Sequence, residues 1–196
     1  MEHASGTDMG SALRRATYDD LLAVPDHLVA EIIDGELYTS PRPAPPHALA
    51  CSGIGSVLFH SFNGPSGGGG AATPGGWWIL FEPELHFGDD VLVPDVAGWR
   101  RDRMPALPDT SYFAVAPDWV CEVISPSSGR LDRVKKIPVY AREHVAGLWL
   151  VDPIARTLEV YRLDAGRWVV TTPDGGATRL EPFEGIEIDR GRWWTD

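Results

Sequence analysis

Two acidic residues stand inside apolar stretches of this 196-residue chain: Asp95 in Val91-Leu92-Val93-Pro94-Asp95-Val96, and Glu122 in Trp119-Val120-Cys121-Glu122-Val123-Ile124. An ionised carboxylate in a core needs a compensating charge, and carboxylates that converge from neighbouring strands commonly share a metal ion. An all-oxygen donor set of this kind suits Mg²⁺ or Mn²⁺, which keep several waters and take few protein ligands. Either acid alone could instead point outward from an edge strand. The chain contains 17 basic residues, and its only two lysines are the neighbours Lys135 and Lys136, which follow Glu122 closely. A lysine ammonium is a compact charge that its surroundings can tune, whereas a guanidinium needs planar partners.

The elements that must position these residues can be read along the chain. Residues 1–16 lack periodicity and are expected as a disordered tail, with a single domain over 17–196. Thr17 offers an N-cap with Asp20 three residues on, so a short helix is expected there. Two β-rich runs flank Asp34-Gly35 between His27 and Tyr38, a strong hairpin signal. A helix is expected from Pro46 to Phe62, weakened by its glycines. The glycine-rich stretch from Asn63 to Gly76 leads into a strand and lacks Gly-Lys-Ser/Thr, which excludes a phosphate loop. Three strand-like runs follow, WWILFEPELHF, VLVPDVAGW and DWVCEVISP, then a helical segment, LDRVKKIPVYAREHV. The runs GLWLVDP and TLEVYRL and a more polar pair complete an α/β fold, a mixed β-sheet flanked by helices.

Composition narrows the function classes. The net charge of −11, with 28 acidic residues, argues against a broad electrostatic grip on nucleic acid, so phosphate contacts must be local. Arg130, Arg133, Lys135 and Arg142, with Arg100, Arg101 and Arg103 on another loop, could make such contacts or form an ordinary solvated face. The start of the chain lacks the apolar segment of a signal peptide and nothing approaches a membrane span, so a cytoplasmic protein is expected, with no membrane partner. Cys51 and Cys121 lack zinc-site spacing and are expected to be reduced core residues. No function is assigned to the tryptophans, which fall mostly in strand runs.

The phrase VPDV, followed 27 residues after Asp95 by EVIS, resembles the PD-(D/E)xK nuclease signature, except that Ile124 stands where that motif has lysine. The Uma-type restriction endonuclease branch of that superfamily is similar in carrying EV(L/I)SPS and taking its lysine from the next helix. EIIDGEL, Pro45-Pro46-His47, VPDV, EVISPSS, the D-R-x-x-K of Asp132 to Lys136, Tyr140-Ala141 and LWLVDP match that pattern over residues 16–165.

The resemblance implies a restriction-endonuclease-like fold and a Mg²⁺- or Mn²⁺-dependent endonuclease acting on nucleic acid, DNA first. It implies Asp95 and Glu122 as metal ligands with the Val123 carbonyl, Lys136 as the catalytic lysine, and Glu31 as a supporting acid. Glu82 is either a further acid or a surface charge. His47 matches a family position and is either a substrate contact or a capping residue, while Lys135 and Arg133 are candidate substrate contacts. Lys136 is preferred to Lys135 because Asp132, Lys136 and Tyr140 recur at intervals of four on one helix face. Pro138 bears on that phase, since a proline either kinks a helix or starts one. Two other functions remain open: a nuclease-fold binding or assembly protein without chemistry, and a metal-dependent hydrolase of a small phosphorylated substrate. A homodimer is expected for so short a domain.

Overall fold

The computed structural model describes residues 14–65, 73–125 and 129–194. Much of the expected tail lies outside these, but Ala16 already donates its N–H to Gly35 O at 2.8 Å. Helix α1 (Tyr18–Leu22) starts at Thr17 with the expected reciprocal cap, in which Thr17 and Asp20 each bind the other's backbone N–H. Strands β1 (Leu28–Ile33) and β2 (Glu36–Pro41) form the expected hairpin. Asp34 and Gly35 take φ of 55° and 81°, the left-handed pair that a two-residue turn between twisted strands requires.

Two of the three expected strand runs are divided between two sheets. WWILFEPELHF forms β3 (Trp77–Phe81) and β4 (Leu85–Phe87), and VLVPDVAGW forms β5 (Asp90–Leu92) and β6 (Val96–Arg100). Pro83 and Pro94 occupy the breaks, where the missing N–H ends a ladder. The smaller sheet runs β2-β1-β5-β4. The larger has β6 beside β3 and β7 (Trp119–Val123), then β8 (Gly147–Asp152), β9 (Thr157–Asp164) and β10 (Arg167–Thr171). At the two breaks Glu82 donates its N–H to Asp95 O at 3.1 Å, so both crossings lie side by side where the sheets part.

Strands β7 and β8 are parallel, and the connection between them is helical, as a parallel pair requires. It comprises α3 (Gly129–Leu131), a π-helical turn (Asp132–Lys136) and α4 (Ile137–Arg142). Pro138 neither stops this segment nor starts a separate one. The wider turn, in which Ile137 N–H reaches Asp132 O, is the local adjustment that accompanies it.

Helix α2 (Pro45–Phe62) covers one face of the larger sheet, where Ile54, Leu58 and Phe62 meet Trp77, Trp119, Trp149, Phe183 and Trp193. Its Gly53 lets the helix approach the 3-10 turn Arg190–Trp193, since a Cβ there would stand 3.0 Å from Trp193. On the other face α4 packs Val139 and Tyr140 with Val120, Trp99 and the small sheet's Ile33 and Leu92. Among the described residues no helix is long and apolar enough to cross a membrane.

Candidate active site

The parting of the sheets leaves a cavity of about 270 Å³ lined by Glu31, Asp95, Glu122, Asp132, Lys136 and His47, with Arg42, Glu82 and Ser125 also contributing. Each acid arrives from a different element. Glu31 comes from β1, Asp95 from the step between the sheets, Glu122 from β7 and Asp132 from the π turn. The β6–β7 register pairs Val96 with Cys121. Continued by one residue it sets Asp95 across from Glu122, and opposite residues of an antiparallel pair share a face.

Lys136 is the electrostatic centre. Its Nζ lies 2.8 Å from Glu122 Oε1, 2.9 Å from Glu31 Oε1 and 3.8 Å from Asp132 Oδ1, and it donates to Val93 O at 3.3 Å. It is 2% exposed, as is Glu122. Burial alone would lower the lysine's pKa, but Glu122, Glu31, Tyr140 and Asp132 together carry it well above the ordinary value, so the ammonium stays charged. Glu122 shifts upward as well: burial is the main cause, Lys136 opposes it, and Asp132, Asp95 and Glu31 add repulsion. Tyr140 donates its hydroxyl to Glu122 Oε1 at 2.5 Å. Asp132, Lys136 and Tyr140 are all buried on one side of the helical segment.

Asp95 is held separately. Its Oδ2 accepts Val123 N–H at 2.7 Å, and Oδ1 lies 3.2 Å from His47 Nε2. His47 Nδ1 faces Cys51 Sγ at 3.4 Å. Burial works against charging the imidazole, but the hydrogen bond and charge of Asp95, helped by Asp132 and the Val123 carbonyl, leave its pKa above the ordinary value. Both cysteines are free thiols; Cys121 is in the core as expected, and half-buried Cys51 packs against that core while its sulfur faces His47. Glu31 also accepts Val93 N–H at 2.8 Å, which ties β1 to the chain just before Asp95.

Two expected substrate contacts lie elsewhere. Arg133 forms a two-pronged pair with Glu159 at 2.6 and 2.9 Å, and Lys135 pairs with Glu36 at 3.4 Å and Asp34 at 3.9 Å. Neither lines the cavity, because the helix phase that buries Lys136 turns its neighbours outward. Arg142 is likewise engaged with Asp90 and Asp34, and Arg103 with Asp118. The exposed guanidinium at the cavity is that of Arg42, from the end of the hairpin. Sequence reading missed it, since nothing in the local pattern shows that β2 leads to the mouth. The expected motif lysine position, Ile124, is buried in the core beside α4.

A mixed sheet with one parallel pair, bridged by a helix and carrying acids and a lysine at the parting of two sheets, defines a nuclease-like fold. The chain belongs to the family described as Uma2, "Putative restriction endonuclease", whose model matches residues 15–191. A solved structure with a similar fold is that of a putative nuclease belonging to DUF820 from Anabaena variabilis. It is 23% identical, with a TM-score of 0.72 over 91% of this chain and 97% of that one. No curated protein matches the chain.

Proposed function

We propose that this protein is a divalent-metal-dependent endonuclease that hydrolyses phosphodiester bonds in nucleic acid, with DNA as the first substrate to test. The observation that carries the reading is the buried Glu31–Lys136–Glu122 group beside Asp95 on one cavity. The family, and the fold shared with the putative nuclease from Anabaena variabilis, support it. The donor set fits a hard cation: five carboxylates, those of Glu31, Glu82, Asp95, Glu122 and Asp132, line the cavity with one ammonium. Asp95, Glu122 and the Val123 carbonyl would hold Mg²⁺ or Mn²⁺. When bound, such an ion supplies polarisation of the phosphodiester and a more acidic water.

The chain's own residues do the rest. Lys136 holds Glu122 and Glu31 in place and keeps a positive charge where negative charge would develop on the phosphate. Glu31 fixes Lys136 and the backbone leading to Asp95. Arg42 stands at the mouth as a phosphate contact, the role expected of Lys135 and Arg133. Incubation of supercoiled plasmid, linear duplex, single-stranded DNA and RNA with Mg²⁺, Mn²⁺ or chelator tests the reading. Cleavage should need the metal and vanish in Asp95→Asn and Glu122→Gln; cleavage unchanged in both variants would refute it.

A second reading, a hydrolase of small phosphorylated compounds, is favoured by the acidic surface, where Arg133, Arg142 and Arg103 are each engaged by carboxylates. Turnover of aryl phosphates or phosphodiesters without any polymer cleavage would select it. The cytoplasmic homodimer expected from the sequence is part of the proposal, and sedimentation of a monomer across micromolar concentrations would remove the dimer.

A further inference from the structure

His47 and Cys51 stand one turn apart on α2, facing the same side, and the ring lies between the thiol and Asp95. One donor atom from each of His47, Cys51 and Asp95 falls within 4.8 Å of the others. We propose that His47 Nε2 is a nitrogen ligand of the cation held by Asp95, that Cys51 positions the ring through Nδ1, and that the site therefore selects Mn²⁺ or Co²⁺ over Mg²⁺. The proposal rests on the reading of Asp95 and Glu122 as a divalent-metal site.

Three observations carry it. Two atoms bonded to one ion at about 2.1 Å, with angles near 90–110°, lie about 3.0–3.4 Å apart. Nε2 and Asp95 Oδ1 are 3.2 Å apart. The His47 side chain is 10% exposed, so it has little freedom to turn elsewhere. Its Nε2 edge faces the groups expected to hold the ion, because Nε2 lies against Oδ1 of Asp95, whose Oδ2 accepts the Val123 N–H.

Cys51 has a different part. Its sulfur lies 3.4 Å from Nδ1, the nitrogen turned away from Asp95. A group on the far nitrogen fixes the ring's orientation and tautomer without bonding the ion. A hard carboxylate set alone accepts Mg²⁺ readily. One imidazole among the oxygens raises affinity for first-row transition ions, which bind nitrogen far better than Mg²⁺ does.

Metal binding by the full chain, independent of cleavage, tests this. Titration calorimetry with Mn²⁺ and Co²⁺, and Mg²⁺ in competition with Mn²⁺, should show Mn²⁺ bound at least about 100-fold more tightly than Mg²⁺. His47→Ala and His47→Gln should lower Mn²⁺ and Co²⁺ affinity by about 10–100-fold and Mg²⁺ affinity by less than about threefold. Cys51→Ala should weaken Mn²⁺ by about tenfold. Electron spin-echo spectra of the Mn²⁺ protein should show nitrogen modulation that both His47 variants lose, with circular dichroism confirming that they fold. An unchanged Mn²⁺/Mg²⁺ ratio in the His47 variants, or wild-type spectra without nitrogen modulation, would overturn the assignment. A sulfur-to-Co²⁺ charge-transfer band lost in Cys51→Ala would overturn the part given to Cys51. If Asp95→Asn and Glu122→Gln bind Mn²⁺ like wild type, the underlying metal-site reading fails. If those two lose binding while the His47 variants keep it, only this proposal falls.

Discussion

Lys136 is buried and shares its ammonium among three carboxylates, so its removal differs in kind from that of its neighbour Lys135. Breaking a buried pair leaves uncompensated charge, and Lys136→Ala is expected to cost about 3–5 kcal/mol in urea unfolding and to abolish cleavage. Lys136→Arg should not restore cleavage, because a planar fork does not fit the place of a compact ammonium. Lys135→Ala should leave the unfolding midpoint where it is and weaken substrate binding only slightly, since that lysine is occupied with Glu36 and Asp34. A wild-type midpoint for Lys136→Ala would contradict the assigned geometry. His47 gives a pH signature in chelator. Its pKa is raised in the folded chain, so its pairing with Asp95 contributes stability that is full below the unfolded value of 6.5 and lost as pH rises through the folded value. Thermal melts should show His47→Gln losing more relative to wild type at pH 5.5 than at pH 8.5, a gap that narrows as pH rises; a constant gap would mean that the pair stays uncharged.

At the level of elements, the site depends on β6 and β7 meeting in one register, with Asp95 at the end of one and Glu122 within the other. Gly98 of β6 sits under a packed lid of rings, where an added Cβ would stand 3.2 Å from Ile79 and Trp77 and 3.4 Å from Trp119. These neighbours are buried and have no free direction to move. Gly98→Ala should therefore cost about 1–3 kcal/mol by overpacking, measured by urea unfolding, and should lower metal affinity as the register shifts. A more stable variant would show that the stiffer strand outweighs the crowding. The π turn acts on the same scale. It lets the segment continue past Pro138 while Asp132, Lys136 and Tyr140 stay on the buried side.

Over the whole molecule, a net charge of −11 with many basic residues engaged by acids leaves Arg42 and Lys136 as the lysine and arginine side chains lining the cavity. Binding of a labelled duplex should accordingly need a divalent cation and have a shallow salt dependence, with a log–log slope near −2 for about two phosphate contacts. A slope near −6, or tight binding in chelator, would point to a broad basic surface instead. Much of this organisation is legible along the chain, because it rests on interactions between near neighbours. The Asp34-Gly35 turn, the Thr17–Asp20 cap, the apolar strand holding Glu122, and the face shared by Asp132, Lys136 and Tyr140 all follow from local backbone preference and periodicity, whereas Asp95 stands in the break between β5 and β6. The division of two apolar runs at Pro83 and Pro94 into separate sheets does not follow in the same way, since a proline marks a break without saying where the chain pairs next. Only the tertiary structure decides that Lys135 and Arg133 turn to Glu36 and Glu159, and that Arg42 arrives at the mouth. Those outcomes are set by which distant segments come to lie side by side, and contacts across such separations leave no periodic trace in the residues that make them.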